Sequence, residues 1–454
     1  MSPSRQPQRR SAPPLEYSLL LTATLCLLAL GAVMVFSASS ATSLLADGGG
    51  DGFYYLKRTL LFAGIGLVAM RFAAARGTQA ARVLTPVLLA VSLFLLVAVL
   101  VPGIGQTVNG SQRWLGAGLL RFQPSELVKV ALILYGAQLL ALRPKRVRSL
   151  RELAPFLLVV GASLLLIALQ PDLGTAMTIT FAVTCMLLAA GIHLRTLAPV
   201  AAVTAVGVIG LIATNPYQQE RLTGFLNPAA DAGGAGFQGI QASIALGSGG
   251  VMGVGLGESV QKAFYLPEAH TDMIAAVLGE EAGFAGMFVL IGLFGIFGYA
   301  GFRAAHRARD RYSKLLAAGL TSLILAQAAI NLFAVLGLAP LTGVPLPFVS
   351  YGGTSLVVTL TAAGLIMNVA RRPARASASR PRRKATSARG SRAPTGDPAR
   401  LRVLDGGVRW NEVKPNTGAA TRRRRSASAR SRDSGRRDSG SRRAGDRRRG
   451  RAAR

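Results

Sequence analysis

The residues best able to do chemistry are gathered between Gly236 and Glu281. Glu258, Lys262, Glu268, His270, Asp272, Glu280 and Glu281 all fall within this longest interruption of an otherwise apolar chain. A carboxylate at a membrane–water boundary is costly unless it has a partner or a task. Asp272 stands where the chain re-enters an apolar stretch, and it is the predicted chemical centre. His270, two residues earlier, either tunes that acid or lines the loop. Glu280 and Glu281 fall about two turns into the helix expected next. They are read as support for the site, at least one pairing with a cation inside the bundle.

A second group of charges lies at Asn109–Lys129. Trp114 beside Arg113 suits an interfacial anchor. Pro124-Ser-Glu reads as a helix entry, with Pro in the first turn and an acid near the N-terminus. Glu126 and Lys129 are spaced i,i+3 and share one helix face. They make an ion pair, or else Lys129, with Arg113 or Arg121, offers charge to a phosphate group. Asp172 is placed to cap the helix that follows it, with Gln170 and Thr175 beside it. The glycines from Gly247 to Gly257 do not fit GxGxxG and have no strand–helix context, so nucleotide binding is rejected. Close packing or backbone mobility in a re-entrant segment is the better reading.

The elements that must hold these residues are apolar helices. Half of the 454 residues are hydrophobic and only 16% are charged, which is too apolar for a water-soluble domain. Stretches long enough to cross a bilayer are expected at Tyr17–Ala38, Thr59–Ala75, Ala81–Val101, Ser125–Leu142, Leu153–Leu169, Leu173–Ile192, Thr196–Thr214, Met273–Phe302, Leu315–Leu338 and Tyr351–Ala370. The expected fold is therefore all-α, with about ten transmembrane helices and a large outer loop between the seventh and eighth. Pro340–Ser355 is expected as a rigid non-helical loop entering the last span.

Alternate loops carry most of the Lys and Arg. The positive-inside rule then puts both termini in the cytoplasm and the Gly236–Asp272 run outside. The first span lacks a small-residue cleavage site and reads as a retained helix. Of 52 Lys and Arg, 28 lie in residues 371–454, with 6 of the 20 Asp and Glu. This low-complexity tail is expected to be disordered, with a short Leu401–Val413 motif around Trp410 inside it. It would lie on anionic lipid or recruit an acidic cytoplasmic partner. Nucleic acid is not expected, because no folded reader accompanies the charge. Asn109-Gly-Ser is a chance sequon, and Cys26 and Cys185, in separate apolar stretches, predict neither a disulfide nor a metal site. The expected division is a 1–16 arm, a 17–370 membrane domain and a 371–454 tail.

Four pieces in order, NGSQRWLGAGLLRFQPSELVK, QPDLGT, the Gln238–Glu281 run with YLPEAHTDMIAAVLGEE, and PLPFVSYGGTS, resemble signatures of the SEDS family of bacterial membrane proteins, the FtsW/RodA group. The similarity covers about Tyr17 to Val369. MVFSASS and the GEE ending look more like the division branch than the elongation branch. The resemblance implies a glycosyltransferase that polymerises lipid II into peptidoglycan outside the cytoplasmic membrane, with a class B penicillin-binding protein and other divisome proteins as partners. The family's essential aspartate falls on Asp272. Its Arg-Trp and QPSE…K positions fall on Arg113, Trp114, Gln123, Pro124, Ser125, Glu126 and Lys129. Met273-Ile-Ala-Ala departs from the Phe-Ile-Phe of many members and should change packing under the acid.

On that reading Asp272 is the general base, and Arg113, Lys129, Arg221 or Lys262 neutralise the departing diphosphate. The sequence fixes no cofactor; a divalent cation, Mg or Mn, fits the scheme, with no complete ligand set named. The competing readings are a lipid II transporter, an elongation-type polymerase and a recruiting scaffold. Against the transporter, no strong inverted repeat is visible and the charges gather at one face rather than the midplane.

Overall fold

The computed structural model describes residues 13–371 apart from 46–50, 109–110, 117, 119–120, 143–149, 235 and 264. The basic tail, most of the N-terminal arm and the Asn109-Gly pair of the sequon lie outside the described residues. In hydrocarbon every backbone polar group must be satisfied within the chain, so apolar segments become helices. The order is α1 (Leu15–Leu45), α2 (Tyr54–Leu100), β1 (Gln106–Val108), β2 (Ser111–Trp114), α3 (Pro124–Leu142), α4 (Leu150–Ala168), α5 (Leu173–Ala189), α6 (Leu194–Thr214), α7 (Pro216–Leu226), α8 (Phe237–Ser248), α9 (Ile274–Glu281), α10 (Gly283–His306), α11 (Arg311–Val335) and α12 (Gly353–Arg371). The two short strands form an antiparallel hairpin. Among the described residues, eight helices are long and apolar enough to cross a membrane, and the shorter α5 is also apolar.

Two expectations about element boundaries are corrected. No loop separates Thr59–Ala75 from Ala81–Val101: the residues between them are helical too, and both stretches fall within the 47-residue α2, whose ladder lacks an N–H at Pro86. A straight rod of that length would reach about 70 Å, over twice the hydrocarbon thickness. Instead the segment doubles back. Arg58 near its start donates to the Gly118 carbonyl, and Gln112 donates to the Val101 carbonyl just past its end. Arg82 in its middle pairs with Asp310 at the opposite end of the bundle. The Ala-Ala-Ala-Arg-Gly-Thr-Gln-Ala-Ala linker is rich in helix formers, so it carries the helix through what charge alone marks as a loop.

The other correction is at Met273–Phe302. Gly283, at φ +63°, breaks that stretch into α9 and α10. A Cβ there would lie 2.4 Å from the Gly253 nitrogen, so the break is where the glycine-rich loop crosses the helix. The loop is stitched on by backbone bonds from Val254 to Glu280 and from Gly255 to Glu281, at 3.0 and 3.1 Å. Gly249 and Gly253 provide close packing, while Gly250, Gly255 and Gly257 supply positive φ. The large loop itself is partly helical, through α7 and α8.

The buried α11 is central; α3, α5, α10 and α12 pack around it. Asn368 ties α12 to α2 by donating to the Ala74 carbonyl at 2.8 Å and accepting from Thr78 at 2.9 Å. By contrast α6 is almost bare, with Leu197 its one buried residue. The two ends of the bundle differ. One gathers cations: Arg303 and Arg307 reach Glu16 at 2.9 and 2.6 Å, and Arg371 lies over Tyr17. The other carries the hairpin, α7, α8, the glycine-rich loop and the non-helical 339–352 segment, and it holds the site.

Candidate active site

Asp272 is the last but one residue before α9, where the chain has left the glycine-rich loop and not yet closed its first helical turn. Met273 behind it is buried, and so is every residue of α9. The acid is thus fixed to a rigid base while its own side chain keeps partial exposure. Asn331 of α11 holds the loop in place. Its side-chain amide donates to the Asp272 carbonyl at 2.7 Å and to the Val344 carbonyl at 2.8 Å.

Burial pushes the Asp272 carboxyl up to about 6, and the nearby Glu268 adds to the rise, while Arg221 opposes it. The Thr271 hydroxyl lies 2.8 Å from a Glu268 oxygen and 3.2 Å from an Asp272 oxygen, so one proton serves either acid in turn. Glu268 sits at φ +55°, the left-handed region that non-glycine residues avoid, which turns the loop sharply ahead of the acid. Arg221 comes from α7. It donates to the Leu341 carbonyl at 2.8 Å and stacks over Tyr217 at 4.7 Å. That bond uses one of five N–H donors. Gly343, at φ +69°, lies beside both groups: a Cβ there would be 3.8 Å from the guanidinium and 3.9 Å from the carboxylate.

The other expected cations are engaged elsewhere. Lys129 is buried and pairs with Glu126 at 2.8 Å and with the Gln327 side chain at 2.7 Å. Of its two readings the geometry takes the ion pair. Lys262 is buried and uses all three donors, on Glu281 at 2.8 Å, Ser37 at 3.0 Å and the Gly257 carbonyl at 2.6 Å. Arg113 donates to the Gln170 carbonyl at 3.0 Å, to the Pro171 carbonyl and to Ser111, and approaches Asp172 at 3.9 Å. It fastens the hairpin carrying Trp114 to the α4–α5 turn. Gln123 joins the same junction, 3.3 Å from Asp172. Asp172 caps α5 by accepting from the Thr175 N–H at 3.1 Å. Ser125 is buried. Glu280 is buried and accepts from the Ser259 hydroxyl and from the Val260 N–H. Glu280 and Glu281 therefore anchor the glycine-rich loop behind Asp272.

His270 packs against Tyr55 of α2 with ring centroids 4.4 Å apart and against Tyr351 at 5.5 Å. Burial lowers its pKa, which favours the neutral ring. Its carbonyl accepts from the Tyr351 N–H at 2.9 Å. Sequence reasoning gave no role to Asn331, Gln327, Tyr55, Tyr351 or Gly343, and named Glu268 only as one of the gathered charges. A signal existed for two of them: Gln327 and Asn331 are polar, one turn apart and on one face of an apolar helix. Among the described residues no three His, Cys, Asp or Glu side chains come together as a metal site. Asp272 and Glu268 alone do not fit a resident ion.

The family model of FtsW/RodA/SpoVE cell cycle proteins matches residues 17–374. The chain belongs to the FtsW/RodA/SpoVE family. Within it, the chain is 42% identical over 354 residues to stage V sporulation protein E of Bacillus subtilis, covering 78% of this chain and 96% of that protein. It is also 42% identical over 356 residues to the "Probable peptidoglycan glycosyltransferase FtsW" of Trichlorobacter lovleyi, covering 78% and 93%. Among solved structures it resembles a chain of a peptidoglycan synthase complex studied for how polymerization and crosslinking are coordinated, with TM-score 0.64, 32% identity and coverage of 78% and 96%. It resembles the rod shape determining protein RodA of Thermus thermophilus with TM-score 0.57, 30% identity and coverage of 78% and 95%. The FtsW/RodA/SpoVE match spans the bundle and every site residue named above, and it stops at the start of the basic tail.

Proposed function

We propose that this chain is a peptidoglycan glycosyltransferase that polymerises lipid II at the outer face of the cytoplasmic membrane, in septal wall synthesis. The observation carrying the proposal is a largely buried carboxylate of raised pKa, Asp272, set beside the one expected cation that stays at its side, Arg221. The names of the FtsW relatives support the activity, and the arginine-rich end of the bundle supports cytoplasmic termini. The synthase-complex neighbour supports a class B penicillin-binding protein as partner, with other divisome proteins around it.

In the reaction the acceptor's C4 hydroxyl attacks the anomeric carbon of the donor sugar. The new glycosidic C–O bond forms as the bond to the lipid diphosphate breaks, and the hydroxyl proton passes to Asp272. Arg221 balances charge on the departing diphosphate. Diphosphate leaves without an acid, so the paired carboxylates of hydrolases are not needed. A divalent cation, Mg or Mn, would enter with the diphosphate it neutralises rather than occupy a cage built by the protein. Glu126, Lys129, Lys262 and Arg113 act by holding the walls of the site.

The test is polymerisation of lipid II by the purified full chain with its partner synthase. Asp272→Asn keeps size and shape and is expected to lower the rate about 10²–10⁴-fold, the usual worth of a general base. Wild-type rates in a correctly inserted Asp272→Asn protein would remove the base from the scheme.

A further inference from the structure

At the end of the bundle opposite Asp272, a cavity of about 300 Å³ lies between α2, α3 and α11, lined by Arg82, Gln138, Ala141, Leu142, Asp310, Arg311 and Tyr312. Its chemistry is divided. Arg82 is braced, paired with Asp310 and stacked on the Tyr312 ring at 4.2 Å. Arg311 donates to the Ala190 carbonyl at 3.0 Å, ending α5, yet its Nε is buried and has no partner. Gln138 adds a side-chain amide to the wall. Leu142, the last residue of α3, also lines the cavity and is 72% exposed. Two guanidinium groups against one carboxylate leave one net positive charge, matched to a singly charged anion.

We propose that this cavity is a binding site for the phosphodiester headgroup of an anionic phospholipid. The phosphate oxygens accept from Arg311 and Arg82, Gln138 bonds a headgroup hydroxyl, and the acyl chains run along Leu142. A planar guanidinium fork suits phosphate oxygens, and basic pockets between helix ends are established settings for acidic lipid headgroups. Asp310 keeps dianionic phosphates at a disadvantage. The site is remote from Asp272 and does not depend on the glycosyltransferase reading.

The test uses the full chain in detergent, with native mass spectrometry and thermal unfolding as readouts. Phosphatidylglycerol, phosphatidylcholine and inorganic phosphate are added separately. Wild type is expected to retain one phosphatidylglycerol about tenfold more tightly than phosphatidylcholine, the worth of one charge-assisted hydrogen bond. Arg311→Gln should lose that preference. Gln138→Leu, a change in the wall that keeps side-chain size, should weaken phosphatidylglycerol while leaving the lipid-free melting temperature unchanged. Equal retention of the two lipids by wild type, or full phosphatidylglycerol binding by both variants, overturns the site. Stabilisation by inorganic phosphate with no preference for phosphatidylglycerol assigns the cavity to a soluble phosphate and overturns the lipid reading.

Discussion

Asp272 must be ionised to accept a proton, and its carboxyl is pushed up to about 6. Below that pH it carries its own proton and cannot act as a base. The polymerisation rate should therefore rise with pH along a one-proton limb centred near 6. Removing the charge of its acidic neighbour, Glu268→Gln, takes away an influence that raises the value, so the midpoint should fall. Arg221→Gln removes an influence that lowers it, so the midpoint should rise while the rate drops. The His270 ring also titrates below its usual range, so the profile needs a control. A limb that persists in His270→Gln belongs to Asp272; one that disappears belongs to the imidazole. Gly343 allows a second test at this scale. Gly343 and Gly337 share φ +69°, but nothing lies within 4 Å of a Cβ on Gly337. Ala at either position should cost about 1–2 kcal/mol for the left-handed backbone. Only Gly343→Ala should also slow polymerisation, because its methyl would take up space in contact with the Asp272–Arg221 pair, at 3.9 and 3.8 Å, without clashing.

Between elements, buried ion pairs set the geometry. Lys129 and Glu126 are 2% and 3% exposed at the side chain, so removing one partner strands a charge in apolar surroundings. Lys129→Met should destabilise the bundle by about 3–5 kcal/mol. The double change Glu126→Leu with Lys129→Met should recover most of that loss, since no charge is left unpaired. Thermal unfolding in detergent reads both. If the single and double variants melt together, the loss in Lys129→Met does not come from stranding Glu126 within α3. Lys262 and Glu281 follow the same logic at the junction of α1, the glycine-rich loop and α9. There the pair also sets where Asp272 emerges, because α9 is the base on which it stands.

For the whole molecule, the loop end and the basic end should face opposite sides of the membrane. Gly233 and Lys314 are both exposed, and nothing lies within 4 Å of a Cβ on Gly233. In intact cells a membrane-impermeant maleimide should label Gly233→Cys and spare Lys314→Cys until the membrane is opened. The reverse pattern would put Asp272 in the cytoplasm, where the proposed substrate is not polymerised. The native Cys26 and Cys185 lie within α1 and α5, and the parent protein provides the background signal.

Much of this architecture could be read along the chain. Hydrophobic stretches of bilayer length, Asp172 as a helix cap, and a lone acid at the re-entry into α9 are local signals carried by neighbouring residues. The break at Gly283 and the absence of a loop within α2 were not legible. One depends on where a distant loop crosses, and the other on helix formers prevailing over a cluster of arginines. The choice among Arg113, Lys129, Arg221 and Lys262 was equally hidden, since all four are cations near apolar segments in the sequence. Tertiary structure decided it by supplying partners from far along the chain: Gln327, 198 residues from Lys129, and Ser37, 225 residues from Lys262. A charge in a poorly solvating interior goes to whichever partner the fold brings within reach, and that partner need not be close in sequence.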